Sequence, residues 1–191
     1  EAAQLARTPA NYAAGNRVAL TGADRWSSET CDPQGDIDEA KEAIRRRIGR
    51  YPNTLTLGPS VFNALKRHPK IKEQFKYTGR DSITTAMLAA YFDVERVIVG
   101  KAVWLPETAG DDQPATDVWG DDAILSYVPA TGDNFQVPSY GYTYELSGYP
   151  QVRQPYFENS NDSWIYPTTT ERRVILTGAE GGFLFQNAGA A

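Results

Sequence analysis

Residues 51–103 constrain the fold of this chain more than any other segment, because two strand-like apolar runs enclose helical patterns. The run at residues 54–57 follows a Pro-Asn turn and is apolar at alternate positions, and a second β-forming run covers residues 96–103. Between them, residues 84–92 show the composition of a helix. No nucleophile, metal cluster or phosphate loop follows either run, so the segment is typical of a mixed α/β scaffold.

The first helix of this segment has clear limits in the sequence. Ser60 is a favoured capping residue, and Val61, Phe62 and Leu65 then recur at helical spacing. His68-Pro69 ends the helix, because proline lacks an amide donor and moves the preceding residue out of the α region.

A longer amphipathic helix precedes this segment, at residues 36–48. Asp36 with Glu39 forms a capping-box pattern, and Gly49 supplies the stop. The apolar stripe of this helix consists of Ile37, Ala40, Ile44 and Ile48.

The second half of the chain is rich in β-forming and aromatic residues. A loop at residues 105–117 is rich in Pro, Gly and Asp and leads to a strand at residues 123–128. Further strands are predicted at residues 140–146, 162–166, 172–177 and 183–187. Residues 11–20 are expected to form a strand with this late β region.

These patterns predict an α+β fold with two parts. Residues 33–129 form a compact α/β domain, and residues 1–32 and 130–191 form a β-rich periphery built from both chain ends. Residues 1–7 are interpreted as the last turns of a helix that begins upstream. No apolar run approaches the roughly 20 residues that a membrane-spanning helix needs, and the first residues lack the layout of a secretion signal.

Charge is unevenly distributed although the formal net charge is only −5. Residues 41–80 contain eleven basic and two acidic side chains, whereas residues 107–133 contain seven acidic and no basic ones. Such surfaces are complementary between identical subunits arranged head to tail. The predicted interface residues are Arg45, Arg46, Arg47, Lys66, Arg67, Lys70 and Lys72 on one side and Asp111, Asp112, Asp117, Asp121 and Asp122 on the other. The alternative is that both patches only confer solubility.

Catalytic and cofactor motifs are weak. The chain has one cysteine, Cys31, and one histidine, His68, so a small hydrolase would have to use Cys31 or Ser28 with His68. Residues 158–162 offer oxygen ligands but lack the acidic spacing of an EF-hand loop. The glycine-rich residues 178–182 lack the Lys-Ser/Thr of a phosphate loop. We therefore predict a non-enzymatic protein without cofactor or metal.

Six sequence blocks, in this order along the chain, resemble the major capsid proteins of tailed bacteriophages, whose shell fold is named after phage Hong Kong ninety-seven. The blocks are LTGADRWS at residues 20–27, DIDEAKEAI at 36–44, PNTLTLGPSVFNAL at 52–65, HPKI at 68–71, LAAYFDVERVIVGKAVW at 88–104 and DVWGDDAILSYVP at 117–129. The family's N-terminal arm and extended loop have no counterpart here, so the chain is expected to match the C-terminal part of a longer protein.

The resemblance implies a structural subunit of an icosahedral phage or prophage capsid. Hexamers and pentamers of the chain would enclose double-stranded DNA without sequence-specific binding, in the virion, after assembly in the bacterial host cytoplasm. Residues 33–129 would be the axial domain, and the remaining residues the peripheral domain. Implied partners are copies of the chain itself and scaffolding, portal or decoration proteins, and no membrane is involved. An alternative hypothesis from the same resemblance is a cellular encapsulating shell that holds a cargo enzyme.

Overall fold

A five-stranded sheet organises the chain, and a computed structural model describes residues 1–76, 82–110, 112–130 and 138–190. The helices in this part of the chain are α1 (Ala2–Arg7), α2 (Pro33–Ile48), α3 (Pro59–Arg67), α4 (Pro69–Phe75) and α5 (Thr85–Tyr91). The strands are β1 (Arg17–Ala19), β2 (Thr54–Leu57), β3 (Arg96–Val99), β4 (Val103–Trp104), β5 (Thr116–Asp117), β6 (Ala123–Ser126), β7 (Tyr142–Glu145), β8 (Gln151–Val152), β9 (Tyr156–Glu158), β10 (Ser163–Ile165), β11 (Thr168–Thr169), β12 (Arg172–Ile175) and β13 (Gly182–Gln186).

The sheet has the order β1-β13-β6-β2-β3 and mixes strand directions. β6 is antiparallel to both of its neighbours, whereas β2 and β3 are parallel to each other, as are β1 and β13. The predicted pairing of residues 11–20 with the late β region is confirmed for β1, which pairs with β13, but the strand is limited to Arg17–Ala19 because residues 14–16 form a 3-10 turn. The α+β class is confirmed as well.

Side chains alternate across the sheet and enter two apolar clusters. Leu55, Leu57, Leu125 and Phe185 point to the face covered by α2, α3 and α5 and belong to the main core. Ile124 and Leu184 point the other way and pack with Ala6 and Tyr12 in a smaller core under α1. The sheet is therefore buried on both faces at β6 and β13.

Helix starts differ from the predicted ones. α2 begins at Pro33 with Asp32 in the cap position, not at Asp36, because proline is well suited to the first helical turn. The Asp36 carboxylate instead accepts a hydrogen bond from the indole Nε1–H of buried Trp26, at 2.8 Å. α3 begins at Pro59 with Gly58 as its cap, so the predicted capping role of Ser60 is wrong. Gly49 ends α2 in the left-handed conformation, as predicted.

The strand predicted at residues 96–103 is interrupted, and its end belongs to a separate hairpin. β3 stops at Val99, and β4 pairs with β5 outside the main sheet. α4 was not predicted as a helix. Among the described residues, no helix combines the length and apolar character needed to cross a bilayer.

A long two-stranded ribbon leaves the sheet between β6 and β13. Its rungs are β7 with β12, β8 with β11, and β9 with β10, all antiparallel. The strands predicted at residues 140–146, 162–166 and 172–177 correspond to β7, β10 and β12, and the one at 183–187 corresponds to β13.

The predicted domain division at residues 33 and 129 would split the five-stranded sheet, because β1 and β13 come from the segments that were predicted to be peripheral. The division into two domains stays a prediction.

Gly58 allows a close approach between β2 and the turn before β6. A Cβ at Gly58 would lie 1.9 Å from the carbonyl oxygen of Gly120, although the backbone φ of −68° suits any residue. We expect Gly58→Ala to lower the free energy of unfolding by about 1–3 kcal/mol, because the backbone must shift to relieve this overlap. Urea denaturation measures the effect. Gly110→Ala, with nothing within 4 Å of its Cβ, is the control and should be nearly neutral; equal effects in both variants would contradict this account.

Candidate functional site

The predicted basic residues form two patches that the structure keeps apart. Arg45, Arg46 and Arg47 are exposed on the last turn of α2, and we call them, with exposed Arg50, the arginine patch. Lys66, Arg67, Lys70 and Lys72 lie on α3 and α4 and form the second patch. The ion pair of Lys70 with Asp32, at 3.5 Å, places the second patch beside the N-terminus of α2. At 1.5 Å per residue, about 20 Å of helix separates the two patches.

The arginine patch holds its side chains over aromatic rings. The guanidinium of Arg45 lies 5.6 Å from the ring centroid of Tyr51, and that of Arg50 lies 5.6 Å from the ring centroid of Tyr127. Arg45 also donates to Glu42, with 2.6 Å between Nη2 and Oε2. Hydrogen bonds from Arg45 and then from Tyr51 lower the pKa of Glu42 to about 2. Arg46 has no ion-pair partner among the described residues, so its charge is available.

The second patch is lysine-rich and less organised. Lys66 lies 5.4 Å from the ring centroid of Phe62, so part of its stem covers an apolar side chain. Arg67 and Lys72 are exposed and make no ion pair within the part of the chain that the structure describes.

The predicted acidic residues divide into exposed and internal ones. Asp112 and Asp117 are exposed on the β4–β5 hairpin, and Asp111 lies outside the described residues. Asp121 is half-buried and accepts a hydrogen bond from the Ser60 hydroxyl at 2.5 Å. Asp122 is buried, so its carboxylate is used inside the chain and not on an open surface.

Asp122 ties three distant segments together. Its Oδ2 lies 2.5 Å from Nε of Arg7, and its Oδ1 accepts the main-chain N–H of Asn187 at 3.0 Å. Arg7 also donates to the carbonyl of Val118, at 2.8 Å. α1, the start of β6 and the end of β13 are thus held by one carboxylate. The sequence carries no signal for this pair, because 115 positions separate Arg7 from Asp122.

Cys31 and His68 do meet, but not in the arrangement that a thiolate nucleophile needs. Nε2 of His68 lies 3.4 Å from Sγ of Cys31 and 3.1 Å from the carbonyl oxygen of Ser28. A carbonyl oxygen only accepts, so the bond to Ser28 requires the hydrogen on Nε2, and that nitrogen then cannot take a proton from the thiol. The Ser28 hydroxyl instead shares a hydrogen bond with Thr30.

The surroundings also oppose ionisation of this cysteine. Burial and then the nearby Asp36 carboxylate raise the pKa of Cys31 to about 11, and burial lowers the pKa of His68. A catalytic Cys–His pair depends on the opposite shift of the thiol pKa. In the part of the chain described here, no group of three or more His, Cys, Asp or Glu side chains is placed to hold a metal ion.

Comparison with known proteins gives consistent matches. The model of the family described as phage major capsid protein E matches residues 11–141. The major capsid protein of Burkholderia phage BcepMu is 37% identical over 186 residues, which are 95% of this chain and 59% of that protein. The major capsid protein of Pseudomonas phage JBD67 is 27% identical over 194 residues, covering 98% and 60%.

A solved structure agrees in fold. The crystal structure of a phage-related protein from Bordetella bronchiseptica RB50 matches with a TM-score of 0.92 and 42% identity, over 99% of this chain and 62% of that one. The chain therefore spans about 60% of the length of these relatives.

Removal of Arg7 should destabilise the fold through Asp122. We expect Arg7→Met to lower the free energy of unfolding by about 1–3 kcal/mol, because a buried carboxylate loses its charged partner while Arg7 itself is one-third exposed. Urea denaturation of Arg7→Met, Asp122→Asn and the double variant measures the coupling. The double variant should lose less free energy of unfolding than the two single variants lose together. Strict additivity of the two losses would contradict the pairing. The control is Arg46→Met, because Arg46 is exposed and makes no ion pair among the described residues.

The raised pKa of Cys31 predicts slow alkylation. At pH 7 the thiolate fraction should be roughly 100-fold below that of a thiol of ordinary pKa, and burial slows access further. The rate of iodoacetamide labelling should therefore be far below that of free cysteine and should rise to it in guanidinium chloride. Labelling of the folded chain faster than free cysteine would restore the hydrolase hypothesis.

Proposed function

Because the chain belongs to the phage major capsid protein E family, we propose that it is the shell-forming part of a phage capsid subunit. The observation that carries this proposal is the family match over residues 11–141, together with curated relatives that are named major capsid proteins. On this proposal, hexamers and pentamers of the chain form an icosahedral shell in the virion, assembled in the host cytoplasm around double-stranded DNA.

The Cys31–His68 geometry favours this proposal over the hydrolase. The thiol is buried with a raised pKa, and the nitrogen that would serve as its base carries a hydrogen. Both residues instead join the segment before α2 to the α3–α4 junction, which is a structural role.

The axial and peripheral placement belongs to the same proposal. Residues 33–129 would lie nearest the symmetry axis of each capsomer, and residues 1–32 and 130–191, which include the ribbon, would reach outward. The shared sheet would then transmit the position of one part to the other, because β6, β13 and β1 are hydrogen-bonded neighbours.

A head-to-tail contact would use the second patch and the acidic hairpin. Arg67 and Lys72 have exposed, unmatched charges, and Asp112 and Asp117 are exposed on β4–β5. Two different surfaces that complement each other generate a ring when the rotation closes. Because one hairpin cannot cover patches about 20 Å apart, the arginine patch would face a different part of the neighbour. Asp122 is buried and bonded within its own chain, so we leave it out of this contact.

Negative-stain electron microscopy tests the function. The chain should form rings, tubes or closed shells of uniform lattice, either alone or when produced at the full length of its relatives. Dispersed monomers at both lengths, across salt and protein concentration, would overturn the proposal. The material enclosed by the shells then separates a virion, which holds DNA, from a cellular compartment, which holds a protein cargo.

Charge reversal tests the contact. We expect Arg67→Glu with Lys72→Glu to slow assembly, followed by light scattering, and to weaken its dependence on salt, because steering between opposite charges is lost. Adding Asp112→Lys and Asp117→Lys should restore the rate. Arg67→Lys with Lys72→Arg keeps the charge and serves as the matched control. An unchanged rate and salt dependence in the reversed variant would rule this contact out.

A further inference from the structure

The ribbon exposes several large apolar side chains to solvent. No residue from 142 to 175 is buried, and the exposed large side chains include Val152 at 76%, Trp164 at 60% and Tyr166 at 71%. An isolated two-stranded ribbon is at best marginally stable in water. Exposed apolar side chains that contact each other, as Phe157 and Trp164 do, indicate a surface that binds a partner.

The outer part of the ribbon, residues 154–171, which we call the outer ribbon, makes its contacts within the ribbon. Phe157 and Trp164 face each other across β9 and β10, with ring centroids 5.6 Å apart in an edge-to-face arrangement. Arg153 donates its main-chain N–H to the carbonyl of Pro167, and Ser160 donates to Glu158. These bonds stay within the ribbon, so its outer surfaces remain open to a partner.

The outer ribbon is also acidic. Residues 154–171 contain Glu158, Asp162 and Glu171 and no lysine or arginine, and Arg153 and Arg172 flank this stretch. Four aromatic side chains lie among these carboxylates, namely Tyr156, Phe157, Trp164 and Tyr166. A partner surface that suits this combination is rich in arginine, because a guanidinium stacks on aromatic rings and also binds carboxylates in a planar fork.

The arginine patch is such a surface. It already places Arg45 over Tyr51 and Arg50 over Tyr127, and exposed Arg46 has no ion-pair partner among the described residues. The lysine-rich second patch fits less well, because ammonium groups are point charges without a stacking plane.

The two surfaces of one chain do not face each other. The ion pair of Arg47 with Glu180, at 4.0 Å, places the arginine patch near residues 178–181, where the ribbon returns to the sheet. The ribbon tip at residues 159–162 is some 13 positions beyond β7, a reach of about 40 Å when extended. The arginine patch therefore lies at the base of its own ribbon, away from the tip.

We propose that the outer ribbon of one copy, residues 154–171, packs on the arginine patch of a second copy. This inference rests on the proposed function, since a shell subunit meets identical neighbours at fixed positions. The contact is heterologous and differs from the one between the second patch and the acidic hairpin. Phe157 and Trp164 supply the apolar contact, and Glu158 pairs with Arg46 of the neighbour.

Site-specific photo-crosslinking tests the contact. The photoreactive residue p-benzoylphenylalanine replaces Trp164 in the 191-residue chain, and a mixture of unlabelled and nitrogen-15-labelled protein identifies crosslinks between copies. We expect crosslinks from position 164 to the peptide that contains residues 45–51 of the other copy. The matched control places the same residue at Trp104, which is equally exposed at 61%, and should not label that peptide.

A charge swap supplies the second measurement. We expect Arg46→Glu to reduce the crosslink yield by about tenfold, because like charges then oppose each other. Combining it with Glu158→Arg should restore the yield. Arg46 is exposed and Glu158 is partly exposed, and unchanged thermal unfolding confirms that the variants fold.

The outcomes separate this inference from the proposed function. Shells whose position-164 crosslinks map away from residues 45–51 would overturn the ribbon contact alone. The expected crosslinks without rings or shells at either length would support the ribbon contact and overturn the capsid proposal. Absence of any crosslink between copies, or failure of the swap to restore the yield, would also overturn the ribbon contact.

Discussion

The burial of β6 is the constraint on which the rest of the structure depends. All four of its residues are buried, and it hydrogen-bonds to β2 on one side and β13 on the other. Leu125 belongs to the main core, whereas Ile124 belongs to the smaller one. One short strand therefore joins the helical middle of the chain to its two ends. Strand pairs distant in sequence form only when the whole chain closes around them.

Contacts around β6 hold its neighbouring segments in place. Asp122, directly before β6, is bonded to Arg7 in α1 and to Asn187 after β13, and Gly58 lets β2 approach Gly120 closely. On the side of the smaller core, buried Tyr12 donates its hydroxyl hydrogen to the carbonyl of Ala6 and contacts the Tyr140 hydroxyl. Burial raises the pKa of Tyr140 to about 12, so this pair stays neutral at ordinary pH. These contacts fix the segments from which the charged patches and the ribbon extend.

Charge on this protein has two uses that composition cannot separate. Residues 107–133 contain seven acidic and no basic side chains. Asp122 nevertheless stabilises the interior and Asp121 binds Ser60, whereas Asp112 and Asp117 lie on the surface. Likewise, the predicted basic interface residues divide into the arginine patch and the second patch, because α2 holds its two ends about 20 Å apart. A contact between copies therefore has to be argued from exposure and position, and the proposed contacts use only the exposed groups.

The sequence by itself determined the elements whose signals are local. Periodic apolar residues predicted α2 and α3, and Gly49 predicted the end of α2. The β-rich texture after residue 130 predicted β13 and three of the six ribbon strands, namely β7, β10 and β12. The ordered sequence blocks also pointed to the family that the comparisons later showed. These features depend on neighbouring residues, so their signals lie within short segments of the sequence.

Tertiary structure alone decided which residues meet. The sequence predicted Asp36 as a helix cap, but the helix begins at Pro33, and the Asp36 carboxylate accepts a hydrogen bond from the Trp26 indole. Arg7 binds Asp122, which lies 115 positions later in the sequence. Cys31 contacts His68, but the pKa of its thiol is raised and not lowered. That the aromatic strands form a ribbon outside the sheet was likewise not visible in their composition. Such outcomes depend on burial and on contacts distant in sequence, whose free energy exists only after the chain has closed.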